Sequence, residues 1–217
     1  MNSKIESINT GENLTEKEIF TKIWTKPREV FKFINDNHYD KYVNILLVLA
    51  GISSAFDRAS KRDMGDRLSI WAIIGLSILL GGLLGWISYY IYAALLSWTG
   101  KWLDGKGDTT SILRILSYAM TPVIITLLLL IPQIGIYGNE LFKSDGDLSS
   151  AGILPNIIFY SSMIFELIFS LWIIVFCVIG VSEVQKFSIG KSILNLLLPV
   201  LVFAVPIIIL VLIFKSI

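Results

Sequence analysis

Glu166 is the residue whose type and position could do the most chemistry. It lies well inside the apolar run Asn156 to Val181 and is the only acid deep inside such a run. A charge near the centre of a bilayer costs at least about 2.5–3.5 kcal/mol on insertion scales, so this carboxyl must be protonated, paired or wetted. Ser162 and Ser170 stand about one helical turn to either side, and Cys177 returns to nearly the same azimuth further on. On a helix these residues draw a polar stripe down one face. The stripe could hold a proton, an ion or a polar headgroup, or a neutral Glu166 could bond across a helix bundle and tie helices together. No second intramembrane acid or histidine is read from the sequence, which favours the structural use over a proton relay.

Other constellations point away from catalysis. Gly100 to Lys106 has the G-x-x-x-x-G-K spacing of a phosphate loop, but Gly107 follows where a hydroxyl should reach magnesium. No strand precedes it to aim the backbone amides. His38 stands alone in a polar segment without cysteines or clustered carboxylates, so it is not a metal site. No nucleophile–base pair is visible, so neither an enzyme nor a cofactor or metal is expected. Cys177 is the single cysteine and cannot close an internal disulfide. The 18 Lys and Arg are scattered rather than run together, which excludes a nucleic-acid patch. Trp71, Trp86, Tyr89, Tyr90, Tyr92, Trp98 and Trp102 read as interface anchors and packing.

Two sets of residues suit contact with other helices or proteins. Ser77, Gly81 and Gly85 recur at small-xxx-small spacing, which lets a second helix approach closely. That helix could belong to the same chain or to a second copy, and a chain with many spans favours the first. Asp104, Lys106, Asp108, Arg114, Glu183 and Lys186 fall in connections and are candidate contacts on the cytoplasmic side.

These residues depend on elements that cannot live in water. Leu68 to Trp98 contains no Asp, Glu, Lys or Arg. About 20 helical residues already cross the hydrocarbon core. Apolar residues make up 54% of the chain and charged residues 16%, so the excess extends well beyond that run. The spacing predicts an all-α integral membrane bundle of five transmembrane helices, at about 41–57, 68–98, 112–137, 156–181 and 192–214. The first run is short, and Pro122, Pro132, Pro199 and Pro206 bend the third and fifth. Before the bundle, residues 1–40 form a cytoplasmic part with no signal-peptide core. Residues 1–14 read as a disordered tail, with a glycosylation sequon at Asn13 that matters only in a secretory lumen. Thr15 and Glu18 have capping-box spacing for a short helix to about Trp24. Pro27 suits the first turn of a second helix reaching about Asn35. Its apolar face, Val30, Phe31, Phe33 and Ile34, fits either the membrane interface or a cover supplied by the protein itself.

Lys and Arg are more numerous in residues 1–40 and in the connections 101–114 and 186–191 than on the other side. This predicts a cytoplasmic N-terminus and an outside C-terminus. Arg58, Lys61, Arg62 and Arg67 in the first connection are the contrary signal.

Ile23 to Phe31, with its Trp24-Thr25-Lys26-Pro27 core, resembles the segment that opens prokaryotic members of the YIP domain (Ypt/Rab-interacting) membrane proteins. Gly105-Lys106-Gly107, Ser117-Tyr118 and Pro122 are similar to that family's Gly-Lys-Gly and Gly-Tyr…Pro elements, with Ser117 where glycine is usual. Trp172 to Gly180, Ser182 to Gln185, Ser188 and Lys191 resemble its fourth-span exit. The resemblance covers roughly residues 20–215. It implies five spans, a cytoplasmic N-terminus and the compact bacterial form, hence a bacterial inner membrane. Eukaryotic members are associated with small GTPases, vesicle traffic and membrane shape and carry a long cytoplasmic N-terminal region that this chain lacks; the resemblance to the compact bacterial form therefore implies fold and topology, and no functional residue carries over. Two roles follow as expectations: a non-enzymatic membrane organiser or adaptor that binds partner membrane proteins or a second copy of itself, and a lipid- or ion-handling bundle with a polar site at Glu166. Membrane lipids are partners under both.

Overall fold

A computed structural model describes residues 14–148 and 152–215, and all regular structure among them is helical. Asn13 of the sequon and nearly all of the polar tail lie outside the described residues. Five helices are long and apolar enough to cross a membrane: Val43–Lys61, Ile70–Lys101, Val123–Phe142, Ile153–Gln185 and Ile189–Pro206. The chain is an integral, multi-pass membrane protein.

Two short helices precede the first span. α1 (Glu16–Lys22) starts at a full capping box: the Thr15 amide donates to Glu18 Oε2 at 2.9 Å, and the Glu18 amide donates back to Thr15 Oγ1 at 3.4 Å. α2 (Pro27–Asp36) begins on its proline, whose missing N–H costs nothing there. Its apolar face is covered by the protein itself. Val30, Phe31 and Ile34 are fully buried, and the Phe31 ring meets Phe176 of the fourth span at 6.1 Å. Glu16 ties this hairpin to the start of the first span through the Lys41 ammonium and the Tyr42 hydroxyl.

The first span, α3 (Val43–Lys61), outlasts its apolar run. The helix continues through Asp57 and Arg58, and its 19 residues reach about 28 Å. The second is one long helix with a widened turn: α4 (Ile70–Leu76), a π-helical turn at Ser77–Gly81, and α5 (Gly82–Lys101). At that turn the two spans touch backbone to backbone. A Cβ added to Gly51 would lie 2.2 Å from the Gly81 carbonyl oxygen and 2.7 Å from the Gly85 Cα. The Ser77–Gly81–Gly85 row therefore receives α3 of the same chain.

The run 112–137 is two helices, not one bent helix: α6 (Thr109–Ala119) and α7 (Val123–Tyr137). Pro122 cannot donate to the Tyr118 carbonyl, and the Thr121 hydroxyl takes that acceptor at 2.6 Å instead. α6 is buried along most of its length, down to Arg114 at 4% exposure. Arg114 grips Asp40 with both arms of its guanidinium, Nε to Oδ1 at 2.6 Å and Nη2 to Oδ2 at 3.2 Å. The fourth and fifth spans are α8 (Ile153–Gln185) and α9 (Ile189–Lys215). α8 turns outward a row that includes Ile153, Leu154, Ile157, Ile164 and Leu171, the surface for acyl chains.

One end of the bundle is locked by a buried amide knot. Gln185 Oε1 accepts from the Gly107 amide at 2.9 Å, while its Nε2 donates to the Leu96 carbonyl at 3.2 Å and Asn195 Oδ1 at 3.4 Å. Asn195 Nδ2 donates in turn to Thr99 Oγ1 at 2.9 Å and the Leu96 carbonyl at 3.2 Å. Glycine is required around it: a Cβ at Gly100 would sit 2.1 Å from Gln185 Nε2, and one at Gly105 2.3 Å from Gln185 Oε1.

Two predictions follow from this packing. Gly51→Ala should push α3 off the Gly81–Gly85 turn at a cost of about 1–3 kcal/mol, read as a lowered thermal midpoint in detergent. A midpoint equal to wild type would show that the backbones do not meet there. The second concerns pH. The Thr15 amide, then its hydroxyl, then Lys22 hold the Glu18 carboxyl down at about 2. Glu16 is lowered by Lys41 and then Tyr42. Both carboxylates are lowered by folding, so their contribution is complete above the ordinary carboxylate range and is lost as pH falls through it. Hydrogen exchange, corrected for intrinsic rate, should show α1 losing protection between about pH 4 and pH 2 while α5 keeps its own; equal protection of α1 across that range would refute it.

Candidate functional site

The spans α3, α7 and α8 do not close on one another completely. They leave a cavity of about 470 Å³, with Tyr89 of α5 contributing to its wall. Each of the three helices brings polar groups to it at helical spacing: Ser53, Asp57 and Ser60 from α3, Thr126 and Gln133 from α7, Glu166 and Ser170 from α8. The rest of the wall is apolar, including Leu127, Leu130, Phe159 and Met163.

Glu166 is half-buried and has a partner from a different helix: Gln133 Nε2 donates to its Oε1 at 2.8 Å. Ser170, on the same lining, spends its hydroxyl on the Glu166 backbone carbonyl at 2.8 Å. The predicted stripe divides. Ser162 is buried at 3% exposure and is not part of the cavity wall, and Cys177 packs against the main apolar core, also outside that wall.

A second acid lines the same cavity, contrary to the reading that Glu166 stands without one. Asp57 lies past the end of its apolar run, but α3 carries on through it, so it stands exposed at the rim of the cavity on the last turns of a span. It makes no hydrogen bond or ion pair among the described residues; the neighbouring Arg58 guanidinium is turned onto Ser54 Oγ at 3.1 Å. Gln133 was also missed. A neutral amide in the run Ile112 to Tyr137 gives no charge signal, though the Ser53–Asp57–Ser60 spacing on α3 could have pointed to a polar face. Among the described residues no group of three or more His, Cys, Asp or Glu could hold a metal ion.

The other candidates sort by exposure. Asp104, Lys106 and Asp108 are exposed on the loop that the Gln185 knot holds. Asp104 adopts a left-handed backbone, φ 66°, and Asp108 caps α6 by accepting the Ser111 amide at 2.8 Å. Lys186 is exposed at the end of α8 and pairs with Glu183 at 3.0 Å. Arg114 differs from its reading as a loop contact: it is turned inward onto Asp40, because an arginine buried on α6 must be paired. Ser77, Gly81 and Gly85 face α3.

Comparison with curated proteins and with solved structures gives no significant match. The Yip1 domain model matches residues 21–211. Within that match lie the Trp24–Pro27 approach to α2, the glycines around the Gln185 knot and all five spans, so the chain belongs to the Yip1 domain family.

Proposed function

We propose that this Yip1 domain protein is a non-enzymatic, lipid- or ion-handling membrane protein that holds a polar or amphiphilic ligand between α3, α7 and α8. The observation that carries the reading is the convergence of two acidic side chains, from separate spans, on one cavity. A bundle serving only as scaffold would fill that space, since protein interiors pack to about 0.74 of their volume. It would not carry the Glu166 carboxyl into a low-dielectric layer, where a charge costs several kcal/mol unless matched. The proposed topology has the N-terminus in the cytoplasm and the C-terminus outside, in a bacterial inner membrane. It is supported by the Lys and Arg of residues 1–40 and of the loops around Lys106 and Lys191. The Gln185 knot then faces the cytoplasm, and the Asp57 end of the cavity faces outward.

The test is reconstitution in proteoliposomes with proton flux, sodium flux and retained lipid measured together. Glu166→Gln should change at least one of them by about tenfold, the value of a single charge-assisted hydrogen bond, while the thermal midpoint stays close to wild type. All three unchanged would sink the reading.

A second reading is an adaptor for partner membrane proteins or for a second copy of the chain. It is supported by Asp104, Lys106 and Asp108, exposed on the loop that Gln185 holds, and by Lys186, exposed at the adjoining end of α8. Lys106→Glu combined with Lys186→Glu should then remove a protein that co-purifies with wild type, and an unaltered set of co-purifying proteins would count against it.

A further inference from the structure

We propose that the cavity between α3, α7 and α8 binds the primary ammonium headgroup of a membrane aminophospholipid, with its acyl chains leaving sideways between the helices. The proposal rests on the lipid-handling reading and names its ligand.

The lining presents acceptors. Asp57 and Glu166 bring carboxylates, and among the described residues no Lys, Arg or His stands in the wall, although Arg58 and Lys61 lie close enough to Asp57 to act on its charge. Gln133 is more than nine-tenths buried there; its Nε2 is spent on Glu166, and its Oε1 receives no hydrogen bond among the described residues. The Thr126 hydroxyl donates its proton to the Val123 carbonyl at 2.9 Å, which leaves its oxygen as an acceptor. Such a wall suits a group that carries several N–H donors and a positive charge. It repels a phosphate or carboxylate that arrives alone.

Size argues against a bare metal ion. Calcium takes about 6–8 oxygens at about 2.3–2.6 Å, whereas this cavity of about 470 Å³ falls in the range of small-molecule sites. Its apolar part says what is attached to the amine. Leu127, Leu130, Phe159 and Met163 line it. Met163 is 60% exposed on the outer face of α8, and Ser170 is exposed beside it, so the cavity reaches the lipid-facing surface of a span. A charged head among acceptors and a chain leaving past Met163 describe an amphiphile.

The full chain should be reconstituted with equal amounts of phosphatidylethanolamine, phosphatidylcholine and phosphatidylglycerol carrying the same acyl chains. It is then extracted in mild detergent, and retained lipid is read by native mass spectrometry. The ethanolamine lipid should be enriched over both others by about tenfold or more, because a quaternary amine has no N–H to donate and glycerol has no charge. Asp57→Asn with Glu166→Gln should abolish the enrichment. Leu127→Trp, which fills the cavity and leaves both carboxylates, should displace the lipid and serves where the double variant fails to fold. Equal retention of the three lipids by wild type, or enrichment that survives the double variant or Leu127→Trp, overturns the proposal. If wild type shows no headgroup preference while Glu166→Gln still alters ion flux, the ammonium assignment falls and the cavity reading stands. If neither effect appears, both fall.

Discussion

The position of α3 decides what the bundle can contain, and one contact decides the position of α3. Gly51 rests against the Gly81 carbonyl and the Gly85 Cα with no side chain between them. In lipid there is no hydrophobic drive to bring two helices together, so close van der Waals approach must do it. The π-helical turn at Ser77–Gly81 lies at this crossing. With α3 seated there, its Ser53–Asp57–Ser60 face points toward α7 and α8 across the cavity. The polar site is thus set by a contact of residues that carry no chemistry themselves.

The two ends of the molecule are built on different principles. At the Gln185 end every amide group is matched, and three glycines close the backbone around one side chain. Such a network is rigid because any partial opening strands a buried donor or acceptor. Toward the other end, Asp57 and the Gln133 oxygen line the cavity and make no hydrogen bond or ion pair among the described residues. Stability is concentrated away from the cavity, the division expected where a site must admit something.

Much of the fold was legible because the bilayer imposes a coarse rule: apolar runs must be helices of a certain length. The capping box at Thr15 and the proline start at Pro27 were readable for the same reason, each being a local pattern. Glu166 announced itself through the cost of its charge. Asp57 did not, since it stands beyond its apolar run and only the continuation of α3 brings it to the rim of the cavity. Arg114 read as a loop contact because its partner, Asp40, is 74 positions away. The division at Met120 to Pro122 was hidden by hydropathy, which records that α6 avoids water without saying whether lipid or protein covers it.

The burial of the N-terminal hairpin constrains how the protein is made. α2 leaves the ribosome early, yet Phe31 settles against Phe176 and Gly180 of the fourth span. Arg114 of α6, the partner of Asp40, is likewise synthesised much later than the segment it clamps. The hairpin must therefore wait, undocked and with its apolar face uncovered, until most of the spans have been inserted. Its sealing is a late step of biogenesis, and a chaperone or the membrane surface has to shelter Val30, Phe31 and Ile34 until then.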